Sequence, residues 1–212
     1  MLRILPMGND APLPPCVTKP RTIRELCDVD ITQLKAMVAR LSDAAWDRED
    51  ALKENAFDVF HHTRHIVLRF IEGNRNPAVH YSNPGWAAWS ALLEPVMQQA
   101  IAPYNFRKPV FAKAMFARLA AGATIDMHVD GAGSNPRCHK IHVPLITNPE
   151  AIFMVADERA HLIEGRAYEV NNVARHGVVN GGDADRIHFI FEVYEGDFVD
   201  ADQAISTADA NA

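Results

Sequence analysis

Arg186-Ile187-His188-Phe189-Ile190-Phe191 alternates between a mixed set of side chains and a purely apolar one. Successive side chains of a strand point to opposite faces, so Arg186, His188 and Ile190 share one side and Ile187, Phe189 and Phe191 the other. The apolar face can pack against helices, and the mixed face would line the interior of a small barrel. His139–Ile146 repeats the arrangement, with Lys140, His142 and Pro144 opposite Ile141, Val143 and Leu145. Polar groups turned inward are costly unless they serve a ligand or one another. That cost marks the mixed face as a candidate site.

Outward from this pair, the text from Val110 onward reads as short strands. The expected spans are 110–119, 124–130, 139–146, 151–155, 160–163, 167–170, 177–180 and 186–194, separated by turn residues such as Ala121-Gly122, Asn148-Pro149, Glu164-Gly165 and Gly181-Gly182-Asp183. Many short strands at this spacing predict a jelly roll. Upstream, Leu34, Met37, Val38 and Leu41 recur at helical spacing over 32–41, and Trp89, Leu92, Leu93, Val96 and Met97 do so over 86–102. Pro95 must kink or divide the second helix. A strand-like run enters from Phe57 to Phe70. The expected fold class is mainly β with flanking helices (α+β), built on a double-stranded β-helix, or cupin-like, core. Residues 1–20, rich in proline, read as an irregular arm. A single domain is expected over 21–198, with a helical and strand part at 21–105 and the core at 106–198, followed by a flexible tail at 199–212.

The composition, 48% hydrophobic and 23% charged, is that of a globular domain with a substantial core. A net charge of −6 leaves no basic footprint, which argues against a nucleic-acid partner. Cys16, Cys27 and Cys138 are odd in number and lack metal-type spacing, so no disulfide framework is expected and a reducing compartment fits. Pro6 and Asp10 interrupt the N-terminal apolar run before it reaches the length of a signal peptide. No stretch approaches the roughly 18 apolar residues of a membrane span. The expectation is a cytoplasmic protein with no membrane partner.

His128-Val129-Asp130 and the distant His176 supply two imidazoles and a carboxylate, a set that can hold one face of an octahedral Fe(II) and leave the other positions open. On a strand, residues 128 and 130 project to the same side. A lone His-x-Asp is more often accidental than metal-binding; its combination with His176 and then Arg186 is far more restrictive. Arg186 suits the remote carboxylate of a keto acid, because a guanidinium grips carboxylates through a fixed fork. The cluster His61, His62 and His65 reads as structural, with a substrate contact open to Arg64 or His65. His139, His161 and His188 read as supporting or surface residues rather than ligands.

ARLAAGATIDMHVD (117–130), KIHVPLITN (140–148), the strand at 153–155, LIEGRAYEVNN (162–172), RHGVVNGGDADR (175–186) and IHFIFE (187–192) follow in an order that resembles the aspartyl/asparaginyl β-hydroxylase family of Fe(II)/2-oxoglutarate dioxygenases. The resemblance runs from Met115 to Tyr194. It implies a double-stranded β-helix, with His128, Asp130 and His176 as iron ligands. Arg186 would bind the distal carboxylate of 2-oxoglutarate, and His142 and Lys140 would belong to the co-substrate pocket. A serine that assists the co-substrate in some relatives falls at Ala117, so Arg186 needs another partner. Some relatives lack the metal carboxylate, which Asp130 supplies here.

The resemblance further implies oxidative decarboxylation of 2-oxoglutarate by O₂ to succinate and CO₂, coupled to hydroxylation of an unactivated carbon. The substrate would be a small molecule or peptide carrying an amino-acid group, either a free amino acid or an Asp/Asn-type side chain. Arg137, in the loop after the ligand pair, is the candidate substrate contact. Two rivals are a non-catalytic cupin-like sensor module that binds metal or a small molecule, and a cupin isomerase or hydrolase using Zn or Mn. Neither requires this ligand set together with a carboxylate clamp.

Overall fold

In the computed structural model, residues 11–53, 58–131 and 133–196 are described. The first half of the expected arm and the whole of the expected tail lie outside them, as do Phe57 and Ala132.

Among the described residues, eleven strands form two antiparallel sheets. In chain order they are β1 (Ile23–Asp28), β2 (Thr63–Ile71), β3 (His80–Ser82), β4 (Pro109–Leu119), β5 (Thr124–His128), β6 (His139–Ile146), β7 (Ala151–Val155), β8 (Glu158–His161), β9 (Arg166–Val170), β10 (His176–Asn180) and β11 (Arg186–Glu195). The larger sheet runs β1-β9-β6-β11-β4-β2-β3 and the smaller β5-β10-β7-β8. From β4 to β11 the chain alternates between the sheets except at β7 and β8, which pair as neighbours in the smaller one, as in a jelly roll.

β11 lies at the middle of the larger sheet, and every residue from Arg186 to Tyr194 is buried. Its two faces do different work. Ile187, Phe189 and Phe191 join Ile141, Val143 and Leu145 of β6 in the main core. Each aromatic ring buried there contributes about 1.5–3 kcal/mol. Arg186, His188 and Ile190 face the other way, toward the smaller sheet.

Three helices cover the outer face of the larger sheet. α1 (Thr32–Val38) buries Leu34 and Val38, one turn apart, and starts where Asp30 Oδ1 accepts from Thr32 N at 2.9 Å. α2 (Asp43–Asp50) is capped by Ser42 and buries Trp46. α3 (Trp86–Ile101) buries Leu93, Val96, Met97, Ala100 and Ile101, a stripe at helical spacing. Pro95 lies on its exposed side and does not divide it. A second core of Leu119, Ile125, Phe153, Val155, Leu162, Tyr168, Val170 and Val178 joins the two sheets and packs one end of the barrel.

The segment 11–20 has no regular structure, yet it is tied down. Asn76 Nδ2 donates to Ala11 O at 2.8 Å, Val17 N to Pro136 O at 2.9 Å, and Lys19 Nζ to Asn172 Oδ1 at 2.8 Å. None of the described helices is long and apolar enough to cross a membrane.

Candidate metal centre

β5 and β10 pair antiparallel with His176 directly opposite His128, so the register itself brings the two imidazoles to one place. Their ring centroids are 4.3 Å apart. Asp130 lies just beyond the end of β5, where its amide donates to Asn172 O at 3.0 Å. That bond turns the carboxylate back toward the histidines. His128 Nε2 and His176 Nε2 are 3.6 Å and 3.9 Å from Asp130 Oδ1.

Each imidazole is oriented from behind. His128 Nδ1 meets Asp126 O at 2.7 Å and His176 Nδ1 meets Ala174 O at 3.0 Å. A carbonyl can only accept, so each Nδ1 carries the proton in the neutral ring, and each Nε2 presents a lone pair to the centre. This backing is the usual one for a metal-binding histidine. Among the described residues these three are the group whose ligand atoms converge, all within 4.8 Å of one another. His128 Nε2 is buried without a hydrogen-bond partner. An unpartnered lone pair beside a second one and a carboxylate is a donor set that suits a divalent cation. The residues fit the metal.

The carboxylate is equally prepared. Lys140 Nζ donates to Asp130 Oδ2 at 2.6 Å, and Asn172 Nδ2 to the same oxygen at 3.0 Å, which leaves Oδ1 to face the histidines. Burial alone would raise the Asp130 carboxyl, but Lys140 and His128 hold it well below its usual value. Burial pushes His176 down to about 4, keeping its ring neutral. Asn172 also donates to Asn135 Oδ1 at 3.1 Å, so Lys19, Asn172 and Asn135 form one chain of bonds behind the metal carboxylate.

The pocket between the sheets is lined by all three candidate ligands and by His142, Lys140 and Arg186. Arg186 is only 2% exposed. Its Nη2 lies 2.8 Å from His188 Nδ1, its Nε is unpartnered, and its guanidinium stands over the Phe153 ring at 4.9 Å. Burial lowers its pKa to about 9, and no carboxylate among the described residues pairs with it. A sealed cation without an acid is a seat for an anion. His188 serves as the partner that the serine position at Ala117 cannot supply. Burial first, then Arg186, keep His188 neutral and able to accept.

Lys140 lines the pocket as expected, and its ammonium also donates to Asp130. One expectation changes. Arg137 does not line the pocket; its guanidinium donates to the carbonyl of Pro14 and fastens the N-terminal segment. The loop geometry turns it away from the cavity, something its place in the chain could not reveal. Arg64 faces Asp47 at 2.7 Å, on the outer side of β2, whereas His65 is buried and lines the pocket. Sequence reasoning passed over Asn172, Lys19, Lys113 and Glu192. The last two had a readable signal: each is a lone charge inside an otherwise apolar part of a strand.

Residues 91–195 match the family model described as Aspartyl/Asparaginyl beta-hydroxylase. Among solved structures, a 2OG-Fe(II) oxygenase family oxidoreductase from Burkholderia pseudomallei is similar with a TM-score of 0.56 and 16% identity, covering 81% of this chain and 82% of that one. The non-heme monooxygenase ThoJ, in a nickel complex, is similar with a TM-score of 0.50 and 13% identity, covering 82% and 74%. At such identities the likeness is one of fold. A search of curated proteins finds no match.

Proposed function

Because residues 91–195 match the aspartyl/asparaginyl β-hydroxylase family model, we propose that the chain is an Fe(II)- and 2-oxoglutarate-dependent dioxygenase. It hydroxylates an unactivated carbon of an amino acid or of an Asp/Asn-type side chain. The observation that carries this reading is the pairing of a converging His128–Asp130–His176 set with a buried, acid-free Arg186 in one pocket.

When bound, iron, 2-oxoglutarate and O₂ supply the oxidising chemistry, with succinate and CO₂ as co-products. The chain's own residues do the positioning. His128 and His176 offer Nε2, fixed by carbonyls behind them, and Asp130 offers Oδ1 while Lys140 and Asn172 occupy Oδ2. Arg186 takes the distal carboxylate of the keto acid, with His188 holding one arm of the fork and Phe153 beneath it. Met115, Ala117, Phe153, Val178 and Ile190 wall the cavity and exclude water.

The test is anaerobic addition of Fe(II) and then 2-oxoglutarate, followed by air. A visible charge-transfer band and then succinate are expected. If neither appears, the site is a metal-binding module of another kind.

A further inference from the structure

One charged pair inside the pocket has no task in the chemistry above. Lys113 on β4 and Lys140 on β6 are the cross-strand neighbours of Glu192 on β11, so the three charges form a row across the inner face of adjacent strands. Lys113 Nζ donates to Glu192 Oε1 at 3.1 Å, and the two side chains are only 7% and 3% exposed. Phe70 lies under the Lys113 ammonium at 5.1 Å. Glu192 Oε2 is buried without any hydrogen-bond partner.

That arrangement is expensive as mere packing. Two apolar side chains would fill the space at less cost than a buried ion pair, and an ionised oxygen left unpaired adds its own desolvation penalty. The pair lies on the pocket wall, six residues along β11 from Arg186, about 20 Å at the usual rise. Through Lys140 it borders Asp130. The two ends of the cavity are thus chemically distinct: a lone cation at one, a matched cation and anion at the other.

We infer that the Lys113–Glu192 pair recognises a free zwitterionic amino acid. Resting on the dioxygenase reading, this names the substrate class of the same site. Glu192 Oε2 accepts from the substrate ammonium. Lys113 Nζ, with N–H groups beyond the one given to Glu192, donates to the substrate carboxylate. The neutral pair and the neutral zwitterion complement each other charge for charge, so docking leaves no net charge added to a buried site. A residue inside a polypeptide lacks both charges and would offer no ammonium to Glu192 Oε2 and no carboxylate to the remaining Lys113 N–H groups.

The test is calorimetric titration under nitrogen, with Fe(II) and 2-oxoglutarate present, using the standard L-amino acids, their N-acetyl derivatives and their α-amides. At least one free amino acid should bind. Its acetylated and amidated forms should each bind roughly 10- to 100-fold more weakly, as loss of a charged hydrogen bond predicts. Glu192→Gln should weaken the free amino acid by a similar factor while 2-oxoglutarate still binds. The Lys113→Met/Glu192→Leu double variant, whose wall is apolar, should keep 2-oxoglutarate binding and lose the amino acid. N-acetyl forms binding as tightly as their parents would overturn the inference, as would no free amino acid binding at all. Failure of Fe(II) or 2-oxoglutarate to bind the unaltered protein would instead sink the dioxygenase reading.

Discussion

Arg186 and His188 stand two residues apart on one face of β11, and Arg186 Nη2 lies 2.8 Å from His188 Nδ1. A neutral imidazole orients the guanidinium without neutralising it, so the full positive charge is kept for an incoming anion. Arg186→Met should therefore weaken 2-oxoglutarate by about 2–5 kcal/mol, roughly 30- to 5,000-fold. Fe(II) binding should be retained. Equilibrium titration of both ligands reads the two effects separately, and an unchanged 2-oxoglutarate affinity would place the clamp elsewhere.

Asp130→Ala should abolish most metal binding. It should also destabilise the protein, since it strips the part-buried Lys140 ammonium of its acid, at a cost below the roughly 3–5 kcal/mol of breaking a fully buried pair. Adding Lys140→Met should restore much of the stability and none of the metal binding. Denaturant melts and metal titrations on the single and double variants check both halves. Equal stability of the two would show that the ion pair is dispensable.

Asn172 touches Asp130 twice, through its carbonyl and its side-chain amide, and passes the contact on to Lys19. Asn172→Leu should lower metal affinity about 10- to 100-fold, the usual effect of losing a partner behind a ligand. Lys19→Met should do so more weakly. A competition assay with a chelator measures each.

Gly177 follows His176 at the irregular point in the β10–β5 pairing. A Cβ there would lie 2.8 Å from Ile125 O and 3.0 Å from Met127 Sδ. Gly177→Ala should push the two strands apart beside the metal ligands, lowering both the melting temperature and metal affinity. A loss of stability alone, with metal affinity intact, would mean that the strands absorb the change without moving the histidines.

Glu169 is fully buried and bonded to His139, Arg24 and Tyr104. Burial alone would raise its pKa, but these partners hold it below its ordinary value. The unfolded chain then binds the proton more readily, so the stabilisation is present above about pH 4.5 and is lost as pH falls through the lowered folded value. Melts from pH 7 to pH 3 should show this decline, and Glu169→Gln should flatten it.

Strand β11 and its neighbours were legible because alternation is strict where one face is core and the other a site. The same rule missed β1, whose IRELCD carries no clean alternation, and β3, which is three residues long. α2, DAAWDRED, hides because a single Trp46 anchors it and no apolar stripe shows. The triad residues were legible as chemistry, and their convergence required the pairing of β5 with β10. Arg137 misled because a cation beside a ligand loop reads the same whether it faces the cavity or the N-terminal segment. Which way it faces is decided by residue 14, far away in the chain.

The N-terminal segment sets an order of events for the molecule as it folds. Lys19 bonds Asn172 across 153 positions, and its contact with Cys138 spans 119. Closing such loops is entropically slow and is rewarded only once the strands at their far ends exist. The segment around Lys19 must therefore wait until residues 138 and 172 are in place before it finds its own. Full support of the metal carboxylate is complete only then, so a half-folded chain holds its metal less firmly than the finished one.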